Sequence, residues 1–319
     1  MLQLNCNCTI TNSTITKIGG TMIEIENLTK KYDQDPVLQG LSCKIGENCI
    51  YGLVGANGSG KSTLLRLING ILIPDDGIVE IDGENTFDNE KIKQEMVFIP
   101  DDMFFYNSYT LLDMAKFYQA MYEKFDMEYL KKLAGHLKLS LNVKLSNFSK
   151  GMKRQCALIL ALSTRSKYMF FDETFDGIDP VIRNFFKKVI AKQMDQDKTT
   201  IIMTSHNLRE LEDICDNLGL LYQGGILFES DIDSLKTNMF KVQISLKKDF
   251  TKENFKDLDL LSFKKIGSVA TLILRDEEGK SRKILEKMKP IILDFLPLTL
   301  EEVFIYEMEA LGYEFEELL

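Results

Sequence analysis

The sequence predicts an α/β fold built on a parallel sheet, with a small α+β segment after it. Three observations carry this. Short apolar runs alternate with helix-like patterns from residue 22 to about 230, and strands that alternate with helices pair in parallel with both faces covered. A glycine-rich stretch, GANGSGKST (55–63), joins an apolar run to a helical one. The chain then changes character, with strand-like and helix-like runs filling 236–319. This divides the 319 residues into an extension (1–21), a main unit (22–232) and an accessory unit (236–319).

Composition narrows the class. Hydrophobic residues are 45% and charged residues 27%, as in a soluble globular protein and unlike a disordered one. A net charge of −9 gives no reason to expect nucleic-acid binding. No stretch approaches the roughly 18 apolar residues of a membrane span, so any membrane role must come through a partner. The cysteines Cys6, Cys8, Cys43, Cys49, Cys156 and Cys215 form no compact framework and read as reduced thiols.

Residues 1–21 are rich in Thr and Asn and lack the apolar run of a secretory signal. Gly19-Gly20 implies purine-rich codons just ahead of Met22, where a bacterial ribosome-binding site would lie. The segment therefore reads either as an extension ahead of a true start at Met22 or as a disordered tail.

Residues 22–27 and 37–46 read as strands, and CIYGLVG (49–55) as a short apolar strand ending at glycine. Leu64, Leu65, Leu67 and Ile68 mark a helix. Pro74-Asp75-Asp76-Gly77 is a turn into the alternating IVEIDG, and MVFIP (96–100) is a strand stopped by Pro100. Residues 110–139 keep helical spacing. Ser149 is placed to cap a helix over 150–163. KYMFFDE (167–173) reads as a buried strand ending in two acids, 181–194 as helix, TTIIMTS (199–205) as strand, 207–215 as helix, and LGLLYQGG (218–225) as strand and turn. In the tail, KVQISL and SVATLIL read as strands, and 281–289 and 299–311 as helices.

The chemistry lies at strand ends. GANGSGKST fits GxxxxGK[ST] in a strand–loop–helix setting. Gly55, Gly58 and Gly60 let the backbone turn its amides, with those of Ala56, Asn57 and Ser59, into a phosphate nest at a helix N-terminus. Lys61 is placed to reach the β- and γ-phosphates, the Ser62 hydroxyl to ligate Mg²⁺, and Thr63 follows in the first helical turn. Such a site needs an acid at a neighbouring strand end. Asp172 supplies it after Tyr168-Met169-Phe170-Phe171, and Glu173 suits a general base or water positioner.

With KKYD (30–33), FSKGM (148–152), FDGIDP (175–180) and TSHN (204–207), these motifs in this order resemble the nucleotide-binding subunit of ATP-binding cassette (ABC) transporters over about 22–230. The resemblance implies the P-loop NTPase fold of ABC ATPases: a parallel core sheet, an antiparallel β subdomain and a helical subdomain at about 101–150. It implies that Tyr32 stacks on adenine, that Ser149 and Gly151 bind the γ-phosphate held by an opposite subunit, and that Asp179 links the two sites. His206 senses the γ-phosphate, and Glu173, His206 and Lys61 form the catalytic set. His136 lies in no motif. Some positions depart from the family. Phe148, Lys150 and Met152 replace the usual Leu, Gly and Gln, Arg154-Gln155 inverts the usual order, and Thr174 stands for a proline. Asp101 occupies the place of a glutamine that contacts Mg²⁺, and joins Ser62 and Asp172 as an expected metal ligand.

The resemblance further implies two ATPs with Mg²⁺ sandwiched in a homodimer or a paralogous heterodimer, docked through the helical insert on a separately encoded integral-membrane permease. That places the chain in the cytoplasm at the inner face of the membrane. The SKGM signature and the tail LPLTLEEVFIYEMEA resemble bacterial drug, peptide or lipid exporters. The alternative is a soluble ABC ATPase acting on the ribosome or DNA. Translation-type members usually carry two cassettes in one chain and DNA-repair members a very long coiled coil, and neither is seen here.

Overall fold

The structure, a computed structural model, describes residues 23–212, 214–232, 239–276 and 280–310. The readings on residues 1–21, with Cys6 and Cys8, lie outside them, as does the last residue of the helix expected over 299–311.

The core is a six-stranded sheet in the order β10-β9-β3-β8-β7-β6. Its strands are β3 (Ile50–Val54), β6 (Met96–Ile99), β7 (Tyr168–Asp172), β8 (Thr200–Ser205), β9 (Asn217–Tyr222) and β10 (Gly225–Asp231). All neighbours pair in parallel except β10, which returns antiparallel along β9 through a tight turn at Gln223-Gly224. The alternation of β7 explains its unbroken apolar sequence. Tyr168 and Phe170 point into one core, Met169 and Phe171 into the other, and all four are at most 1% exposed. Residues of β8 divide in the same way, Ile202 to one side and Ile201 and Met203 to the other.

One face is covered by α1 (Lys61–Ile68) and by an antiparallel sheet, β2-β1-β4-β5, made of β1 (Ile23–Tyr32), β2 (Asp35–Ile45), β4 (Asp76–Ile81) and β5 (Glu84–Asn85). The opposite face carries α5 (Lys150–Ser163) and α6 (Pro180–Asp197). Between β6 and α5 lie α3 (Leu111–Met121) and α4 (Met127–His136). The helical spacing over 110–139 is thus two helices, because Tyr122 leaves helical geometry and Asp126 starts afresh as an N-cap, accepting from the Tyr129 amide at 2.8 Å. The short α2 (Glu90–Gln94) and strands β5 and β10 are findings the sequence reading did not contain. In place of the helix expected over 207–215 there is α7 (Leu208–Glu212).

The tail forms a third sheet, β12-β13-β11-β14, from β11 (Met239–Ser245), β12 (Leu260–Ile266), β13 (Val269–Arg275) and β14 (Ile292–Leu296), all antiparallel. It has a core of its own around Val242, Phe255, Leu272 and Leu285, the last from α8 (Lys280–Lys287). The final helix, α9 (Leu300–Ala310), turns back on the main unit. Leu298, Leu300, Val303 and Phe304 join the same core as β7, and Glu301 accepts from Arg209 of α7 at 3.1 Å.

Candidate nucleotide site

The phosphate loop leaves β3 at Gly55 and enters α1 at Lys61. Its glycines are forced by the path. Gly60 caps α1 at φ 107°, and a Cβ there would press against Leu38 and Val37. Gly58 has φ 82°. A Cβ on Gly55 would meet Ser59 Oγ at 2.5 Å and the Leu221 carbonyl at 2.6 Å. Lys61, 4% exposed at its side chain, folds along the loop and donates to the carbonyls of Gly55 (2.7 Å) and Ala56 (3.1 Å). Burial lowers its ammonium pKa, and Glu173, Asp172 and Asp176 oppose that shift. Ser62 and Thr63 occupy the first turn of α1.

Asp172, 1% exposed, ends β7, where the Thr204 hydroxyl donates to its carboxylate at 2.7 Å. The same Thr204 oxygen accepts from the Glu173 amide at 3.0 Å, so β8 fixes both acids. Glu173 takes a left-handed backbone, φ 45°, which a residue with a side chain adopts at a cost. That conformation turns its carboxylate across the strand ends. One oxygen lies 3.8 Å from Lys61 Nζ and the other 3.5 Å from Nδ1 of His206, which follows β8. Three of the expected catalytic residues therefore meet at one edge of the sheet.

Of the other expected residues, Gly151 and Asp101 line one cleft with Glu173. Ser149 caps α5, accepting from the Met152 amide at 3.2 Å, and Gly151 lies one residue into the helix beside the carbonyl of Gly177. A cleft of about 350 Å³ runs between Gly151, Gly177 and Glu173. Asp101 opens into it and is ion-paired at 2.9 Å with Arg154, whose side chain is 5% exposed. Asp179 caps its own helix α6, accepting from the Val181 amide at 2.8 Å, and is exposed. Tyr32 ends β1 at 44% exposure. His136 closes α4 against the ring of Phe185 at 6.1 Å.

Three polar residues at the site escaped the sequence reading. Thr204 lies within TSHN, but the histidine carried that motif's meaning. Arg154 belongs to the inverted Arg-Gln pair, which carries no family meaning. Asp176, inside FDGIDP, has Oδ2 3.3 Å from His206 Nδ1. Burial, and then the adjoining Glu210, push its carboxyl pKa up to about 7.

The site fits a nucleoside triphosphate with Mg²⁺. Ser59 Oγ, within the phosphate loop, is a buried hydroxyl with no hydrogen-bond partner among the described residues. Ser62 and the enclosed Asp172 offer the hard oxygen donors that Mg²⁺ takes.

Comparison with known proteins agrees. A family model described as ABC transporter matches residues 38–176. The ABC transporter ATP-binding protein YtrB of Bacillus subtilis (strain 168) is 32% identical over 288 residues, covering 89% of this chain and 97% of that protein. The bacitracin transport ATP-binding protein BcrA of Bacillus licheniformis is 31% identical over 221 residues, 68% of this chain and 72% of that protein. A solved structure described as an ATP-binding subunit of an ABC transporter superposes with a TM-score of 0.62 at 24% identity, over 67% of this chain and 91% of that one, which speaks to the fold alone. These relatives favour a transporter subunit over an ATPase of the ribosome or DNA. A match that runs nearly the whole length of a curated relative, on a fold whose sheet edge gathers these residues, places the chain in a family: it belongs to the ATP-binding subunits of bacterial ABC transporters, and it is an ATPase.

Proposed function

We propose that the chain hydrolyses ATP as one of two facing cassettes and so powers a separately encoded membrane permease in export. The observation that carries the catalytic part is the single carboxylate, Glu173, flanked by Lys61 at 3.8 Å and His206 at 3.5 Å. In this reading residues 22–232 are the ATPase unit and 236–319 an accessory unit. No helix among the described residues is long and apolar enough to cross a membrane, and in this reading the permease is separately encoded. Export is supported by the bacitracin transport relative and by the SKGM signature.

Adenine stacks on exposed Tyr32, and the phosphates lie along Gly55–Thr63. Lys61 exchanges its loop carbonyls for phosphate oxygens, which offsets the burial of its charge. Ser62 and Asp172 would hold Mg²⁺, which neutralises charge on the β- and γ-phosphates when bound. Asp101 joins them only by giving up Arg154. Ser149 and Gly151 of the second subunit, identical or paralogous, close on the γ-phosphate through the free amides of a helix start, and Asp179 ties the two sites together. Glu173 orients a water and takes its proton as the water oxygen bonds to the γ-phosphorus and the bond to the bridging oxygen breaks. His206 faces the charge that develops on the phosphoryl oxygens. Work takes place at the inner face of the membrane, with the helical segment around α3 docked on the permease.

Glu173→Gln is the direct test. Turnover should fall at least about 100-fold while ATP stays bound and a dimer accumulates. Unchanged steady-state hydrolysis refutes the assignment. Affinity capture from detergent-solubilised membranes should bring down a polytopic membrane protein rather than ribosomes.

A further inference from the structure

We propose that Asp176 is a positioning residue for His206: its carboxylate holds the Nδ1 side of the imidazole, keeps Nε2 directed at substrate, and leaves Glu173 free for water. The inference rests on the reading of His206 as the γ-phosphate contact.

Three observations support it. First, two acids compete for one ring nitrogen. His206 Nδ1 lies 3.3 Å from Asp176 Oδ2 and 3.5 Å from Glu173 Oε2, so the ring leans at least as closely on Asp176 as on the catalytic acid. Were Glu173 its only support, the imidazole would occupy an oxygen that the attacking water needs.

Second, Asp176 is itself held in place. Its backbone closes a turn onto the Glu173 carbonyl at 3.2 Å. Its other oxygen, Oδ1, is buried with no donor among the described residues and neighbours Glu210. Glu210 is fixed by Arg183 at 2.9 Å and by the Ser205 hydroxyl at 3.2 Å. Burial, and then Glu210 beside it, push the Asp176 carboxyl pKa up. Asp176 thus bridges a rigid anchor on α6 and α7 to an imidazole that is 49% exposed and otherwise able to swing away.

Third, both side chains that meet Nδ1, Asp176 and Glu173, bring acceptor oxygens to it, which leaves the Nε2 side of the ring to face substrate.

The test uses the full chain, and the presence of only two histidines makes it readable by NMR of labelled imidazole nitrogens. In Asp176→Ala the Nδ1 resonance of His206 should move while that of His136 stays, kcat should fall about 10- to 100-fold, and KM for ATP should hold within about threefold. Asp176→Asn, whose amide oxygen still accepts from Nδ1, should recover part of kcat. It should unfold no more readily than wild type, which separates positioning from simple loss of structure. Wild-type kcat in Asp176→Ala, or a loss of kcat with the His206 resonance unmoved, overturns the proposal. His206→Ala with wild-type turnover overturns the phosphate role beneath it, whereas the Nδ1 resonance still reports whether Asp176 touches the ring.

Discussion

At the scale of single residues, Asp176 makes stability depend on pH. Its carboxyl is raised from 3.8 to about 7, so the folded chain holds that proton more tightly than the unfolded chain does. The associated stabilisation is complete below about pH 4 and is lost as pH rises through about 7. Asp176→Asn cannot ionise. Its stability relative to wild type should therefore grow by about 1–2 kcal/mol between pH 4 and pH 8, a figure reduced for solvent access. Denaturant titrations that show the same gap at both pH values contradict this. Gly60 sets a second expectation. At φ 107°, with Leu38 and Val37 waiting for a Cβ, Gly60→Ala should cost about 1–2 kcal/mol and weaken ATP retention in equilibrium dialysis. Residues such as Lys61, Asp172 and Glu173 were legible as candidates because a fixed spacing beside an apolar strand singles them out. Asp176, Thr204 and Arg154 were not, because their meaning is a distance of about 3 Å across segments up to 53 residues apart. No local pattern encodes such a contact.

At the scale of elements, the caps and the buried strands carry separate expectations. Ser149 stops the preceding chain and satisfies the Met152 amide, so Ser149→Ala should lose about 1 kcal/mol from α5, measurable by chemical denaturation. Phe170, fully buried in the middle of β7, should cost about 3–5 kcal/mol when cut to Ala. The two changes report opposite ends of legibility. β7 announces itself because both of its faces are covered and the run is unbroken. Strands β12 and β14 do not, since as edge strands they bury no residue fully, and LLSFKKI and ILDFL blend with their charged surroundings. Two-residue β5 has no periodicity to detect. The helical spacing over 110–139 continued through Tyr122–Asp126, where the backbone leaves the helix, because Phe125 is buried there too and keeps the apolar rhythm.

At the scale of the molecule, the accessory unit has a core of its own and also lends side chains to the main one. Phe304 is 5% exposed and contacts Phe228 of β10 edge to face at 5.7 Å. Phe304→Ala should therefore lower the stability of the main unit by about 3 kcal/mol, read as one shifted transition in calorimetry rather than as a separate early melt. The backbone of Glu173 has a wider consequence. A left-handed residue with a side chain stores conformational energy that glycine would release, about 1 kcal/mol. A Glu173→Gly copy would then outlast its working siblings while splitting nothing. If the proposed pairing is between identical chains, co-expression of both versions would fill mixed pairs with sturdy, silent halves, and transport would drop by more than the share of mutant copies.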